Sequence, residues 1–422
     1  MTISKCYVWK WLPGETEPVV AGELRFDSEG RQAFAYGRSY LERENAEPIY
    51  APELDLKSGT QEPVDGLDHF SCLRDAAPDA WGRRVIQASL LGRDDIDSGA
   101  NLEEGVFLMH SASDRTGSLD FQESASEYVP REEDAASLDD LYDVVELVAQ
   151  GMPIPRDLNA ALFHGSAIGG ARPKAVITDG EVKFVAKFSL SNDTHNMVKA
   201  EYVAMELAAR VGLEVANVSL KKVAGKDVLL VERFDRVKVD GGWSRHSLVS
   251  GLTVLGLDEK WAREASYPEL ADCIRRDGVK FKKDARELFS RMVFNVLMGN
   301  TDDHARNHAF FVEGQSIQLS PAYDITPFPR AGGEASHAMK VFGENNLSRI
   351  SLCIDTAVDF GLVKDEALAI VEGQIKKIAD QFDGLCDEAK MDQATRNLLW
   401  RIAVLNPDIF NGGYEQMDPE HL

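Results

Sequence analysis

Apolar and polar positions alternate along the first part of the chain, which is the pattern of strands that bury one face. The alternation is clearest at residues 7–11 and 33–36, and turn residues follow at Pro13-Gly14 and at 28–30. The sequence therefore predicts a β-rich unit over residues 4–57.

Helical spacing appears further along. Pro78 suits the first turn of a helix and Val85 begins its apolar stripe, so a helix is expected over about 79–91. Residues 122–136 are Ser-, Glu- and Asp-rich, which predicts a solvated connector. A capping box that begins at Ser137 predicts a second helix through about Ala149. These features place the first domain boundary near residue 140.

A small mixed lobe is predicted next, over 141–245. Residues 175–188 form two apolar runs joined by Asp179-Gly180, a dipeptide typical of tight hairpin turns. Helical spacing then covers 198–211, and an apolar strand pattern returns over 228–234. From 246 to 422 the pattern is mainly helical, most clearly at 285–298, 363–381 and 391–404.

Composition excludes several classes of function. The 422 residues carry a net charge of −24, so a surface that binds nucleic acid by neutralising phosphates is not expected. No apolar run approaches the length of a membrane span, which predicts a cytoplasmic protein without a membrane partner. The five cysteines are scattered without a C-x-x-C pair, which predicts buried thiols rather than a zinc site.

Candidate chemistry begins where the apolar helix 285–298 ends. Asp302 and Asn307 stand five apart in an abruptly polar loop, as in a kinase catalytic loop, where the carboxylate takes a hydroxyl proton and the amide binds Mg²⁺. That spacing alone is unspecific. A predicted hairpin over 310–319 then leads to Asp324, in the order in which a kinase supplies its second metal ligand.

Further candidates precede the loop. Lys187 lies on the second strand of the 175–188 hairpin and Glu201 opens the next helix, which is the order of the lysine and glutamate that position phosphates in protein kinases. Gly169 and Gly170 precede the hairpin, and their backbone N–H groups could cover phosphates. An alternative is a hydrolytic metal cluster that joins His304 and His308 to the aspartates.

Several ordered blocks resemble the HipA-type serine/threonine kinases, the toxins of bacterial type II toxin–antitoxin modules. The blocks are 78–82, 169–174, 231–236, 301–307 and 320–325. The resemblance implies an α+β, protein-kinase-like two-lobed fold. A β-rich N-terminal subdomain (1–140) would precede a kinase N-lobe (141–245) and a mainly helical C-terminal lobe (246–422).

The resemblance also implies roles for single residues, with ATP and Mg²⁺ as cofactors. Asp302 would be the catalytic base, Asn307 and Asp324 the Mg²⁺ ligands, and Lys187 a phosphate contact. The strand through Glu232 and Phe234 would meet adenine with its backbone. The implied partner is a helix-turn-helix antitoxin, with operator DNA held only through it. The implied substrate is a protein, and relatives act on aminoacyl-tRNA synthetases.

Two departures from the family pattern affect this interpretation. Relatives carry an inhibitory, autophosphorylated serine just before the x-Gly-Gly segment, where this chain has Ala167, with Ser166 one residue earlier. Asp303 stands beside Asp302, so a register of one for the base stays open. Two other functions also stay open: a kinase-fold binding protein that represses its operon with a helix-turn-helix partner, and a small-molecule kinase.

Overall fold

The computed structural model describes residues 3–64, 66–90, 102–131, 138–150, 152, 166–223 and 225–421. They divide into two compact units. The first unit is drawn from residues 1–191, 221–249 and 311–315, and the second from 192–220, 250–310 and 316–422. The three-domain division made from the sequence remains a prediction.

A five-stranded antiparallel sheet opens the first unit, in the order β4-β3-β2-β1-β5. Burial alternates along β3, where Phe34 and Tyr36 face the core. The predicted β-rich start is thus confirmed, although two short strands outside 4–57 complete the sheet. The strands are β1 Lys5–Lys10, β2 Val19–Phe26, β3 Gln32–Tyr36, β4 Thr60–Gln61 and β5 Leu119–Gln122.

Five helices accompany this sheet in the described part of the first unit. They are α1 Arg38–Leu41, α2 Ser71–Arg74, α3 Ala80–Leu90, α4 Glu104–His110 and α5 Leu138–Ala149. Helices α3 and α5 confirm two predictions, whereas Ser137 of the predicted capping box lies outside the described residues. The start of the predicted connector, 123–131, is largely exposed, but Tyr128 packs its ring on Trp9 and Trp11, each at 5.4 Å between ring centroids.

The second sheet has the order β6-β7-β9-β8. The predicted hairpin turns at Gly180, whose φ of +62° favours glycine. Trp81 of α3 and Leu141 of α5 share one buried cluster with Ala186 and Phe188 of this sheet. The strands are β6 Lys174–Asp179, β7 Val182–Phe188, β8 Val218–Val223 and β9 Lys226–Glu232, followed by β10 Arg236–Val239, β11 Gly242–Arg245 and β12 Leu248–Ser250.

The second unit is mainly helical, as predicted. Its central helix α9 buries two thirds of its side chains because apolar residues recur on more than one face. The helices are α6 Met197–Val211, α7 Gly251–Val254, α8 Tyr267–Asp277, α9 Phe281–Met298, α10 Ile350–Asp355, α11 Lys364–Glu388 and α12 Gln393–Leu399. The described part of this unit also has six 3₁₀ turns, the last three of which follow α12: Glu259–Glu264, Ala305–Asn307, Ala357–Phe360, Pro407–Phe410, Glu415–Met417 and Pro419–His421.

Two helices differ in length from their predictions, and one predicted hairpin is present. The helix predicted over 363–381 extends to Glu388, and the one predicted over 391–404 ends at Leu399. The second expectation was wrong because Trp400 has an extended backbone, with a ψ of 126°, and the positive φ of 64° at Arg401 keeps the helix from resuming. The predicted hairpin is formed by β13 Ala309–Glu313 and β14 Ser316–Leu319.

No helix among the described residues is long and apolar enough to cross a membrane.

A buried network of charged side chains connects distant segments of the first unit. Arg233 donates to Asp114 Oδ1 at 3.1 Å and to Asp235 Oδ2 at 2.8 Å, and Arg236 donates to the same two carboxylates at 3.0 and 2.9 Å. The N–H of Gly117 donates to Asp235 Oδ2 at 2.9 Å. Burial would raise the pKa of Asp235, but the two guanidinium groups lower it to about 2. The network therefore attaches residues 114–117 to the chain that follows β9.

The lowered pKa makes stability depend on pH. Because the carboxyl pKa of Asp235 lies below the unfolded value of about 4, its contribution is present above pH ~4 and is lost as pH falls towards about 2. We expect Asp235→Asn to flatten the acid limb of the unfolding free energy by the contribution of Asp235 and to lower stability at neutral pH. That contribution is about 2 kcal/mol over the whole titration and roughly half of that between pH 5 and pH 3. Urea unfolding between pH 5 and pH 3 measures both effects.

Asp68→Asn is the matched control. Its carboxylate is more than half exposed and forms only a surface pair with Arg31 at 3.5 Å, so its removal should leave the acid limb unchanged. An Asp235→Asn protein that keeps the wild-type pH slope would contradict the assigned role of the network.

Candidate active site

The polar loop begins at a sharp turn after α9. Gly299 has a φ of +68°, and a Cβ there would lie 2.6 Å from the carbonyl oxygen of Ala403. The N–H of Asn300 donates to Asn295 O at 2.9 Å and closes the turn. Glycine is required both for the left-handed backbone and for the close approach of a second chain segment. The helix therefore stops where the candidate catalytic residues begin.

Asp303 is a buried anchor of this loop. Its Oδ2 accepts hydrogen bonds from the Tyr267 hydroxyl, from Asn295 Nδ2 at 2.7 Å and from His308 Nε2 at 3.0 Å. Burial would raise its pKa, but the charge of His308 and the hydrogen bonds from His308 and Tyr267 lower it. With these donors and 3 % exposure, Asp303 serves to hold the loop in place.

Asp302 lies in the opposite environment. Its side chain is exposed, while partial burial raises its carboxyl pKa, as do the negative charges of Asp324 and Asp303; His304 lowers it. Neighbouring carboxylates repel one another's charge, so a cation beside Asp302 and Asp324 would be stabilised. The two adjacent aspartates thus differ in environment, because Asp303 is buried and Asp302 is exposed to solvent.

Asn307 closes the loop as the last residue of the 3₁₀ turn Ala305–Asn307. Its backbone N–H donates to His304 O at 2.8 Å, and its side-chain Nδ2 donates to the carbonyl oxygen of Asp302 at 3.3 Å. These bonds fix the amide of a residue that is only 8 % exposed. The amide oxygen Oδ1 is then the atom suited to a metal ion.

Asp324 adopts a strained backbone conformation. Its φ of +60° is left-handed, which costs a residue other than glycine roughly 1–2 kcal/mol. The preceding segment is held firmly: Ala322 pairs with the loop after α6, donating to Glu214 O at 2.7 Å and accepting from Ala216 N at 2.9 Å. Tyr323 donates its hydroxyl to Arg306 O at 2.8 Å. Strain that the surroundings impose on a polar residue is typical of functional sites.

The second unit thus brings together Asp302, Asn307 and Asp324, and the hydrogen bond from Tyr323 to Arg306 connects the segment of Asp324 to the candidate loop 300–307. Glu201 lies in α6 of the same unit and is 6 % exposed, and its pairing with Lys187 stays a prediction. The alternative hydrolytic cluster is not supported. Among the described residues, which include all of its members, no group of three or more His, Cys, Asp and Glu side chains is arranged to hold a metal.

The first unit contains the predicted nucleotide contacts. Lys187 is half-buried on β7, opposite Lys174 and Leu229 of the neighbouring strands. Glu232 ends β9 opposite Phe184. The strand predicted through Phe234 was too long, because β9 ends at Glu232 and Phe234 lies two residues beyond it. The ring of Phe234 packs edge-to-face on Phe311, with the ring centroids 5.9 Å apart.

Gly169 and Gly170 lie in a segment that is docked against α3. The N–H of Gly170 donates to Asp79 Oδ2 at 2.8 Å, and a Cβ on Gly169 would lie 2.6 Å from the same oxygen. Ser166 and Ala167, the two residues in question for autophosphorylation, are both buried. Ser166 Oγ accepts a hydrogen bond from Ala112 N at 2.9 Å. In this conformation the Ser166 hydroxyl is inaccessible to a phosphate donor.

Sequence reasoning missed the residues that support the site. Tyr267 and Asn295 orient Asp303 from helices that read only as amphipathic, and nothing in the local pattern signals their role. His308 was considered only as part of a metal cluster. Phe311 could have been noticed, because an aromatic pair opens the hairpin that leads to Asp324.

The fold matches that of a chain in a solved toxin–antitoxin complex. The chain superposes on a chain of the Shewanella oneidensis HipA, HipB and operator DNA complex with a TM-score of 0.67, covering 93 % of this chain and 94 % of that one at 18 % identity. The predicted α+β, kinase-like fold, with a β-rich N-terminal region and a helical C-terminal part, is thereby confirmed.

Sequence comparison then gives the family. The model of the HipA-like C-terminal domain matches residues 166–385, more than half of the chain, which therefore belongs to the HipA family. "Putative kinase Y4mE" of Sinorhizobium fredii is 26 % identical over 352 residues, 77 % of each chain. The serine/threonine-protein kinase toxin HipA of Shewanella oneidensis is 29 % identical over 147 residues, 31 % of this chain and 34 % of that one. The family prediction is confirmed, and the roles of single residues stay predictions.

The contrast between the two aspartates predicts opposite effects on stability. Asp303→Ala leaves buried donors unsatisfied and should lower the free energy of unfolding by about 3 kcal/mol. Asp302→Ala removes an exposed, repelled carboxylate and should change it by less than about 0.5 kcal/mol. Chemical unfolding followed by tryptophan fluorescence compares the two variants, and equal destabilisation would contradict the assigned environments.

Proposed function

We propose that this protein is a Mg²⁺- and ATP-dependent serine/threonine protein kinase that acts as the toxin of a toxin–antitoxin module. The observation that carries the proposal is the pair formed by Asp302 and Asp324. An exposed carboxylate with a raised pKa lies near a second carboxylate held in a strained backbone, and Asn307 is fixed in the same loop. Membership of the HipA family supports the same reaction.

Asp302 acts as the general base in this proposal. It accepts the proton of the substrate hydroxyl as the hydroxyl oxygen bonds to the γ-phosphorus of ATP. The bond between that phosphorus and the β–γ bridging oxygen breaks, and ADP leaves. A raised carboxyl pKa improves Asp302 as a base, provided that it is ionised at the working pH. Asp303 cannot replace it without giving up the hydrogen bonds that hold the loop.

Asn307 and Asp324 would hold the metal. Amide and carboxylate oxygens suit Mg²⁺, which is usually bound by one or two carboxylates together with substrate phosphates. The effect of Asp324 on the pKa of Asp302 indicates a local excess of negative charge, which fits a divalent cation. When bound, Mg²⁺ neutralises charge on the transferred phosphate. The strained backbone of Asp324 sets the direction of its carboxylate in advance.

Lys187 would contact the phosphates, while Glu232 and Phe234 would present their backbone to adenine. The edge-to-face packing of Phe234 on Phe311 gives the segment that follows β9 an apolar neighbour suited to a flat base. Gly169 and Gly170 would lie over the phosphates. The predicted pairing of Lys187 with Glu201 belongs to the same proposal.

The proposed partner is a helix-turn-helix antitoxin that itself holds the operator DNA. The net charge of −24 supports indirect rather than direct contact with DNA. The related fold comes from a complex of HipA, HipB and operator DNA, which makes such a partner the first to test. The proposed substrate is a protein hydroxyl, with aminoacyl-tRNA synthetases as the first class to test. The proposed location is the cytoplasm.

Phosphoryl transfer is tested with purified protein, Mg²⁺ and labelled ATP, offered to a cell lysate. Asp302→Asn should lower transfer by about 10²- to 10⁴-fold, because the base is lost while the shape of the side chain is kept. Asp272→Asn, which removes an exposed carboxylate from α8 of the same unit, should retain wild-type activity. No transfer to any protein by the wild type, or equal transfer by Asp302→Asn, would overturn the proposal.

Nucleotide binding separates this function from the two alternatives. We expect Mg²⁺ and ATP together to raise the melting temperature of the wild type, and Asp324→Asn to lose most of the part that depends on Mg²⁺. An unchanged melting temperature would favour a kinase-fold protein that only binds its partner. Transfer to a metabolite but to no protein would favour a small-molecule kinase.

A further inference from the structure

The segment 78–82 packs against residues 166–174, a contact that the proposed kinase chemistry does not use. Its sequence, Pro-Asp-Ala-Trp-Gly, lies at the start of α3, outside the residues 166–385 that match the family domain. Three of its five residues contact or closely approach the glycine-rich segment 166–174, here called the glycine loop. The contacts are made by Asp79, Trp81 and Gly82.

Hydrogen bonds from the start of α3 engage both N–H and carbonyl groups of the glycine-loop backbone. Asp79 Oδ2 accepts from the N–H of Gly170 at 2.8 Å, and Trp81 N donates to the carbonyl oxygen of Gly170 at 3.0 Å. Trp81 Nε1 donates to Lys174 O at 3.1 Å. Arg84, one turn further along α3, donates to Ala171 O at 2.6 Å. The backbone of the loop is therefore set from residue 170 to residue 174.

Glycine is required at the three points of closest approach. Gly170 has a φ of +109°, and a Cβ on Gly169 would lie 2.6 Å from Asp79 Oδ2. A Cβ on Gly82 would lie 2.8 Å from the carbonyl oxygen of Ser166. Two glycines of the loop and one of α3 thus permit this contact. Trp81 is 1 % exposed and shares a core with the sheet that carries Lys187, so the helix itself is firmly placed.

The charges around Asp79 favour an anion near the loop rather than exclude it. Arg74 Nη1 lies 3.8 Å from Asp79 Oδ1. The Lys174 ammonium lies so close to Gly170 that a Cβ there would be 2.1 Å from Nζ. Arg74 is shared with Glu104, whose Oε1 lies 3.7 Å from Arg74 Nε, and Arg83 pairs with the same glutamate at 2.5 Å. Three cations, Arg74, Arg83 and Lys174, therefore accompany two carboxylates beside the backbone of the loop. A phosphate can approach this side of the loop without meeting uncompensated negative charge.

We infer that Asp79 and Trp81 are positioning residues, which hold the glycine loop in the conformation that receives the phosphates of the nucleotide. The inference deepens the proposed kinase function and rests on it. Neither side chain needs to touch the reacting atoms. Each acts through the backbone of residues 170–174. A loop ordered in advance loses less conformational entropy when nucleotide binds, which strengthens binding.

The first measurement needs no nucleotide. Amide hydrogen exchange of residues 166–174 is compared in the wild type, in Asp79→Ala and in Asp79→Asn. Asp79→Ala removes the acceptor and should speed exchange at Gly170 by about tenfold or more, the effect of losing a charge-assisted hydrogen bond. Asp79→Asn keeps an oxygen acceptor and should stay within about threefold of the wild type. Unchanged exchange in Asp79→Ala would overturn the inference.

The second measurement is the dissociation constant of a non-hydrolysable ATP analogue with Mg²⁺, determined by calorimetry. Asp79→Ala should weaken binding by about tenfold, with rescue to within about threefold by Asp79→Asn. Where transfer is measurable, the effect should fall on KM for ATP and leave kcat nearly unchanged. Asp68→Asn is the charge-matched control. Tighter binding by Asp79→Ala would show that the carboxylate competes with phosphate, which overturns the inference.

Trp81→Phe provides an independent variant if Asp79→Ala fails to fold. It keeps a large ring in the core but removes the Nε1 donor to Lys174 O, so both exchange and KM for ATP should change in the same direction by a smaller factor. Wild-type values for both would count against the inference. If the wild type binds no nucleotide, the proposed kinase function fails, and the exchange measurement alone decides whether Asp79 holds the loop.

Discussion

The first unit depends on charged groups that have been removed from water and must therefore be paired. Arg233 and Arg236 follow β9 directly, and both bind Asp114 and Asp235 in the protein interior. An unpaired ion at such a position would cost several kcal/mol, so the segments that supply the partners cannot separate without exposing all of them. This requirement connects residues 114–117 to the strand proposed to meet adenine.

The same requirement for pairing separates two adjacent aspartates in the candidate catalytic loop of the second unit. Asp303 is buried and receives its donors from α8, α9 and His308, whereas Asp302 is exposed and lies near the carboxylate of Asp324. The difference follows from burial, because the buried carboxylate of Asp303 accepts three hydrogen bonds and fixes the loop. The outward carboxylate is exposed to solvent, as the proposed role of Asp302 as a base requires.

The apolar periodicity predicted the long elements well, because an amphipathic helix or a half-buried strand carries its own pattern. Helices α3, α6 and α9 and the hairpin of β6 and β7 were all predicted near their observed bounds. The pattern failed where backbone conformation decided the outcome, as at Trp400 and Arg401, where an extended residue and then a positive φ end a helix predicted to reach residue 404. Short strands such as β4 and β5 carry too few residues for periodicity to be visible.

The sequence predicted which residues belong to the candidate site and their order along the chain, but not the environment of each side chain. Spacing indicated Asp302, Asn307 and Asp324, but it could not separate Asp302 from Asp303, because that distinction depends on Tyr267, 36 residues away from Asp303. The docking of the glycine loop on Asp79 spans 91 residues and has no local signal either. Interactions between residues distant in sequence are what a single sequence leaves undetermined.

The backbone contact between Gly299 and Ala403 has a consequence for the order of events during synthesis. Leu405 N also donates to Leu297 O at 2.7 Å, so the turn into the catalytic loop is supported by residues made about a hundred positions later. At the usual pace of translation, several seconds or more pass before that support exists. A nascent chain that has already formed α9 still lacks the segment that fixes its end, and the finished loop geometry is a late product of synthesis.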